Sequence, residues 1–209
     1  MKVLELFAGS CSFSNVAKEY GYETFTTDIK QFGQIDYVVD ILDFDINRIP
    51  FWPDIIWASP PCTTFSIASC GYHWNAPDNQ GNREPKTEAA ETGLLILEQT
   101  IWILNELQPK YFVIENPRGL MRKMDAVQYL NRDTVTYCQY GDNRMKPTDL
   151  WHNLKWTPRP MCKNGMPCHV AAPRGSKTGT QGLKGNYERS KVPYELCKEI
   201  LETITKDRV

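Results

Sequence analysis

Ile55-Ile56-Trp57-Ala58-Ser59-Pro60-Pro61-Cys62-Thr63-Thr64-Phe65-Ser66 is the stretch on which the reading of this chain turns. Its first four residues form a short apolar run, the pattern of a strand buried on both faces. Two prolines then end strand pairing and stiffen the backbone, so the Cys62 thiol is presented just beyond a strand end. In open α/β sheets, ligands bind outside the carboxyl ends of the strands. A cysteine held there is placed as a nucleophile.

Working outward, the same unit recurs. Val3-Leu4-Glu5-Leu6 reads as a first strand leading into a helix over residues 14–20, with Gly21 as its terminator. Residues 23–27 form a second strand ending at Asp28, and Tyr37-Val38-Val39 a third ending at Asp40. After the run at 55–58, residues 84–107 read as a long helix with Ala89, Leu94, Leu97, Ile101 and Leu104 at helical spacing and Pro109 beyond its end. Tyr111-Phe112-Val113-Ile114 is a fifth strand ending in Glu115-Asn116-Pro117, and residues 134–138 a sixth. A final helix spans residues 193–205. Strands alternating with helices predict an α/β fold, a doubly wound and mostly parallel sheet of the Rossmann-like kind. Residues 71–85 and 156–191 are polar and rich in Gly and Pro; the first reads as a mobile loop, the second as a long irregular insertion.

The bulk numbers narrow the class. A chain of 209 residues fits a single domain, 1–209. No apolar run reaches membrane-spanning length and the start is not a signal peptide, so a cytoplasmic protein is expected. Seven scattered cysteines suggest reduced thiols. The net charge of −1 hides a division. Residues 1–117 carry 7 Lys/Arg against 16 Asp/Glu, a net −9, whereas residues 118–192 carry 14 against 5, a net +9. A basic half facing something anionic points to nucleic acid.

Three segments taken in order, Phe7-Ala8-Gly9, then Pro61-Cys62-Thr63-Thr64-Phe65-Ser66, then Glu115-Asn116-Pro117, resemble the DNA (cytosine-5) methyltransferase family, as do Gln139 and Arg144 beyond them. The resemblance spans residues 1–146 and 185–204. It implies a class I S-adenosylmethionine-dependent methyltransferase that acts on cytosine carbon 5 in DNA, through a cysteine adduct at carbon 6. Cys62 matches the family nucleophile, Glu115 and Asn116 the pair whose glutamate contacts the flipped base, and Arg144 the first arginine of the Gln…Arg-x-Arg motif. Phe7, Ala8, Gly9 and Ser10 match the S-adenosylmethionine loop. Asp28 falls where the ribose would be held, Asp40 and Ile41 where the adenine would be, and Pro61 approaches the cofactor from the nucleophile side. Leu95 is a weaker adenine candidate. Compact phage or prophage members have this outline, with or without a restriction endonuclease partner.

The chain departs from the family pattern in several places. Cys11 and Ser12 stand where the loop usually has glycines, Thr63 where Gln is common, Pro117 where Val is common, and Lys146 where the motif has its second arginine. Asn186 resembles part of the last motif, but residues 187–191 lengthen its spacing to Val192-Pro193. The target-recognition region is reduced to a short basic insert around 151–184. Its Arg159, Lys163, Arg174, Lys177 and Lys184 would grip phosphates. Residues 175–179 look superficially like a phosphate loop but lack its leading glycine, strand and helix. Cys162, Cys168 and His169 are zinc-type ligands at a non-standard spacing. The fourth would have to be Cys138 or His152, and the reading assigns no metal. Tyr72, His73 and Trp74 are placed either to close over a base or to hold their own loop down. An RNA cytosine-5 methyltransferase and an inactive DNA-binding relative are the alternatives.

Overall fold

The computed structural model describes residues 1–171 and 185–207. Its elements, in chain order, are β1 (Lys2–Leu6), α1 (Ser12–Glu19), β2 (Glu23–Asp28), β3 (Tyr37–Val38), β4 (Ile55–Ala58), α2 (Cys70–His73), α3 (Glu88–Leu107), β5 (Tyr111–Pro117), α4 (Asp125–Gln128), β6 (Arg132–Thr136), β7 (Pro147–His152), α5 (Asn186–Ser190) and α6 (Tyr194–Lys206). Short 3-10 turns lie at Ile41–Asp43, Ile46–Arg48, Leu120–Lys123 and Tyr137–Tyr140.

The strands form one seven-stranded sheet in the order β3-β2-β1-β4-β5-β7-β6. β1 to β5 pair in parallel, whereas β7 runs antiparallel to both neighbours. All four residues of β4 are buried, as its apolar run requires. Alternation divides them between the two faces. Ile56 and Ala58 pack with Leu4, Leu6, Ile114 and the α3 residues Leu97, Ile101 and Leu104. Ile55 and Trp57 pack on the other face with Val3, Val113, the α1 residues Phe13 and Val16, and the α6 residues Leu196, Ile200, Leu201 and Ile204. The strand order reverses between β1 and β4, so the loops after these two strands open onto one crevice. Those loops carry Phe7-Ala8-Gly9 and Pro61-Cys62.

The structure amends several expectations. β7 was not anticipated; Trp151 and His152, assigned to the insert, are its buried last residues. β6 occupies Arg132–Thr136, and Cys138 lies in the 3-10 turn that follows. α3 begins at Glu88, four residues later than expected, because the preceding segment is held elsewhere. The Asn75 amide donates to the Glu84 carbonyl and the Lys86 amide to that of His73, and the Thr87 hydroxyl then accepts the Ala90 amide as the helix cap. The same bonds make residues 71–85 an ordered excursion. Trp74 pairs with Pro85, and the Asp78 carboxylate accepts the amides of Gln80 and Asn82. Among the described residues, no helix is long and apolar enough to cross a membrane.

Candidate active site

The turn from β1 to α1 is unusual in its backbone. Phe7, Gly9 and Cys11 all have positive φ, at 57°, 46° and 52°. The turn is tied to β2 by the Ala8 amide, which donates to the Thr27 carbonyl, and by the Gly9 amide, which donates to Asp28 Oδ2 at 3.0 Å. A Cβ on Gly9 would lie 3.3 Å from Ser190 Oγ and 3.9 Å from Asp28 Oδ2, so the glycine admits a close approach as well as the left-handed conformation. In dinucleotide folds the first helix N-terminus takes a pyrophosphate. Here Glu5, inward-facing in β1, accepts the amides of Phe13 and Ser14 there. Burial raises its carboxyl to about 7. With the α1 N-terminus occupied by a carboxylate, the loop suits a cofactor without phosphate groups. Carboxylates stand at the next two strand ends, as ribose and cationic groups would require. Asp28 Oδ1 accepts the Lys30 amide, and Asp40 Oδ1 caps the turn after β3 through the Leu42 amide. Ile41 is buried in the core, Ser10 is bonded to Ser12, and Leu95 is exposed on α3.

The Cys62 turn is fixed from several directions. The amides of Phe65 and Ser66 donate to the Cys62 carbonyl, and Trp74 Nε1 donates to the Thr64 carbonyl at 3.0 Å. Trp74 is buried against Phe65, so it holds the Cys62 turn rather than forming a cover. His73 Nδ1 lies 2.8 Å from Thr87 Oγ1, and only Tyr72 is largely exposed. Beyond β5, the Leu120 amide donates to the Phe65 carbonyl at 2.7 Å. From β5 itself, Asn116 Nδ2 donates to the Pro60 carbonyl at 2.7 Å. Pro61 is exposed and Cys62 half-buried at the crevice.

Glu115 leaves the end of β5, the parallel neighbour of β4, and is buried. The Tyr137 hydroxyl donates to Glu115 Oε1 at 2.7 Å, and Lys146 Nζ lies 3.7 Å from the same oxygen and 4.5 Å above the Tyr137 ring. Tyr137 was not foreseen; it sits inside what was read as strand, with no motif to mark it. Lys146, noted only as a substitution for arginine, is the cation that meets Glu115. Arg144 does not. Its guanidinium is paired with Asp142, leaving a buried Nη1 without a partner among the described residues, and it lines an open cavity of about 600 Å³ with Tyr140, Glu188 and Tyr194. Burial pushes the Cys62 thiol above its usual range and the Glu115 charge adds to this, while Lys146 and Arg189 act in the opposite direction. The structure thus brings Cys62, Glu115 and Lys146 together, ties Asn116 to the Pro60 carbonyl, and turns Arg144 to Asp142 and a separate cavity.

α5 closes the crevice. Ser190 lies against Gly9, the Tyr187 ring packs on Phe32 at 5.9 Å, Lys146 Nζ donates to the Arg189 carbonyl, and the Val192 amide donates to Ser12. Gly185 precedes this helix at φ 89°, and Asn186 is its first residue. Of the basic residues assigned to phosphates, Arg159 is committed internally, to Glu199 at 2.7 Å, the Gln139 carbonyl and the Tyr140 ring. Lys163 is exposed. Arg174, Lys177, Lys184 and the 175–179 stretch lie outside the described residues.

Comparison with known proteins identifies the family. Residues 1–133 match the family model for C-5 cytosine-specific DNA methylase. The chain is 30% identical over 222 residues to "Probable DNA (cytosine-5)-methyltransferase" of Frog virus 3 (isolate Goorha), with 97% of this chain and 99% of that protein covered. It is 26% identical over 158 residues to "Orphan methyltransferase M.Rho11sI" of Bacillus phage rho11s, covering 68% of this chain and 27% of the relative. Among solved structures, the Entamoeba histolytica methyltransferase EhMeth superposes with a TM-score of 0.55 at 14% identity, covering 78% of this chain. The chain spans only 57% of that structure's length, so this likeness concerns the fold. With the family model covering well over half its length and a viral relative matched end to end, this chain belongs to the C-5 cytosine-specific DNA methylase family.

Proposed function

We propose that this chain is a single catalytic unit that methylates carbon 5 of cytosine in DNA with S-adenosylmethionine as donor. The observation that carries the proposal is the convergence, at adjacent parallel strand ends, of the Cys62 thiol with Glu115 and its Lys146 and Tyr137 partners. Cytosine carbon 5 is a poor nucleophile. Addition of a thiolate at carbon 6 moves electron density to carbon 5 and makes it one. The base must leave the stack, since a side chain cannot reach carbon 6 within a duplex. S-adenosylmethionine, when bound, supplies an electrophilic methyl group at a sulfonium centre.

Each residue then has a task. Cys62 adds to carbon 6. Glu115 shares a proton with ring nitrogen 3, which stabilises the adduct and neutralises the charge that holds the thiol up. Lys146 favours the Cys62 thiolate and keeps the Glu115 carboxyl oriented. Asn116 is a positioning residue, tying β5 to the Pro60 carbonyl two residues before the nucleophile. Arg144, oriented by Asp142, offers its unpartnered Nη1 to the base or its phosphate. Phe7, Ala8, Gly9 and Ser10 line the donor pocket with Pro61, Asp28 faces the ribose, and Asp40 faces the adenine, with Ile41 behind it in the core. Loss of the carbon 5 proton and departure of Cys62 restore aromaticity. The test is transfer of labelled methyl from S-adenosylmethionine to mixed-sequence DNA, followed by nucleoside analysis. Label in 5-methylcytosine is expected; label confined to RNA, or to another nucleoside, would overturn the proposal.

A further inference from the structure

On the far side of Tyr137, three thiols and an imidazole from distant parts of the chain converge. Cys138 is buried in the 3-10 turn after β6, and Cys162, Cys168 and His169 come from the segment after β7. Their ligand atoms all lie within 4.8 Å of one another. Cys168 Sγ is 3.8 Å from Cys138 Sγ, while His169 Nδ1 is 3.5 Å from Cys162 Sγ and 3.6 Å from Cys168 Sγ. A tetrahedral zinc with Zn–S near 2.3 Å and Zn–N near 2.0 Å has S···S edges of about 3.8 Å and S···N edges of about 3.5 Å. Three of the separations are those edges. The fourth, 3.0 Å between Cys162 and Cys168, is shorter than an edge and well beyond an S–S bond of about 2.05 Å.

The surroundings also suit a metal. Gln139 Nε2 points at Cys168 Sγ from 3.6 Å, an outer donor to a thiolate. His169 Nδ1 faces the sulfurs, the nitrogen a metal at their centre would take, and its buried Nε2 points away with no partner among the described residues. A disulfide would use two of the sulfurs and leave the third thiol and the imidazole gathered for no purpose. The other candidate for fourth ligand, His152, is engaged elsewhere, with Nε2 3.1 Å from Asp133 Oδ2.

We propose that Cys138, Cys162, Cys168 and His169 hold one structural zinc ion, which clamps the shortened insert onto the turn that carries Tyr137. The clamped segment has no regular secondary structure over residues 153–171. Near its start it is tied to β5 and α6, through Asn153 to Phe112 and Lys110 and through Trp156 and Arg159 to Glu199. Further along, its ties are to this turn and the loop after it: Arg159 amide to the Tyr140 hydroxyl at 3.0 Å, Cys162 amide to Thr136 Oγ1 at 2.8 Å, and Val170 amide to the Asn143 carbonyl at 2.9 Å. A metal bound by four deprotonated or neutral ligands adds ordering free energy to a segment with no helix or strand of its own. It would fix the insert one residue from the tyrosine that bonds Glu115.

The test is metal content of the full-length protein, purified in reducing buffer without chelator, by elemental analysis alongside thiol titration. One zinc per chain is expected. Cys168→Ser, at an exposed ligand, should lose most of it without unfolding the sheet, whereas His169→Cys, which restores a fourth ligand, should keep it. Cobalt substitution should give thiolate charge-transfer bands in the wild type that are lost in Cys168→Ser. Absence of bound metal with all thiols titratable, a Cys162–Cys168 disulfide in the purified protein, or metal content indifferent to Cys168→Ser would each overturn the proposal.

Discussion

Gly119→Ala is the substitution whose consequence the structure fixes most narrowly. Gly119 has φ −166°, extended backbone that alanine adopts freely, so conformational strain plays no part. The effect is steric. A Cβ there would lie 2.3 Å from the Phe65 carbonyl oxygen, 3.2 Å from its carbon and 3.4 Å from Ser66 Cα, all backbone atoms of the nucleophile loop. Relieving the contact to 3.0 Å demands a shift of roughly 0.7 Å and breaks or stretches the Leu120 to Phe65 hydrogen bond. Overpacking costs about 1–3 kcal/mol and a lost backbone bond about 1 kcal/mol, so the variant should be about 2–4 kcal/mol less stable. Phe65 and Ser66 donate to the Cys62 carbonyl, so the shift reaches the nucleophile. A misplacement of about 1 Å costs about 10²-fold in rate, and a loss of roughly ten- to a hundredfold is expected here. Urea unfolding gives the first quantity and single-turnover methyl transfer, on protein shown to be folded, the second. Gly21→Ala is the control. Its φ of 72° makes alanine there strained by roughly 1–2 kcal/mol, but nothing lies near its Cβ, and the folded enzyme should keep its rate. A Gly119→Ala protein within about 0.5 kcal/mol of wild type, with an unchanged rate, would refute the reasoning.

Three further outcomes follow from individual contacts. Glu5, raised by burial from 4.5 to about 7, binds more protons folded than unfolded between these values. Its contribution is therefore fully present below about pH 4.5 and is lost as pH rises through about 7, a change on the order of 3 kcal/mol. Glu5→Gln should flatten stability measured by urea unfolding between pH 5 and 8, and an unaltered profile would contradict the assignment. Lys146→Met removes a cation that lowers the Cys62 thiol, so the rate of Cys62 alkylation should fall at neutral pH and its pH profile move upward; a profile that stays in place would show that Lys146 does not act on the thiol. Arg122→Ala strips the partner from Asp149, which is fully buried and otherwise held by Thr134, and should cost about 3–5 kcal/mol in unfolding experiments, since a buried charge left alone is the expensive case. A loss under about 1 kcal/mol, the range of an exposed pair, would show that the bridge is not buried in solution.

What could be read from the sequence, and what could not, divides along physical lines. β4 was legible because a strand covered on both faces is apolar at every position, and the segments whose resemblance singles out Cys62 and Glu115 do lie at neighbouring strand ends. β7 was hidden because its residues Thr148, Asp149 and His152 are polar yet buried, their burial made tolerable by Arg122, Thr134 and Asp133, which only the fold brings near. Cys138 was weighed as a zinc ligand but could not be chosen over His152, because the turn after β6 decides which one reaches Cys162 and Cys168. Arg159 looked like a free phosphate ligand because the sequence does not place Glu199 beside it. The Glu5 carboxylate at the α1 N-terminus was invisible for a simpler reason, as an acidic residue in a strand ordinarily suggests an exposed face. The sequence around Trp74 fits a cover or an anchor equally, and the hydrogen bond to the Thr64 carbonyl makes it the anchor.

The central claim is that Cys62, at the end of β4, forms a bond to cytosine carbon 6. DNA carrying 5-fluorocytosine tests it most directly, because fluorine at carbon 5 blocks the final proton loss and the adduct persists. Incubation with S-adenosylmethionine, denaturation, proteolysis and mass spectrometry should yield a peptide joined to the nucleotide through Cys62, absent in Cys62→Ser. An adduct on another of the seven cysteines, or methylation of cytosine by Cys62→Ser, would contradict the account.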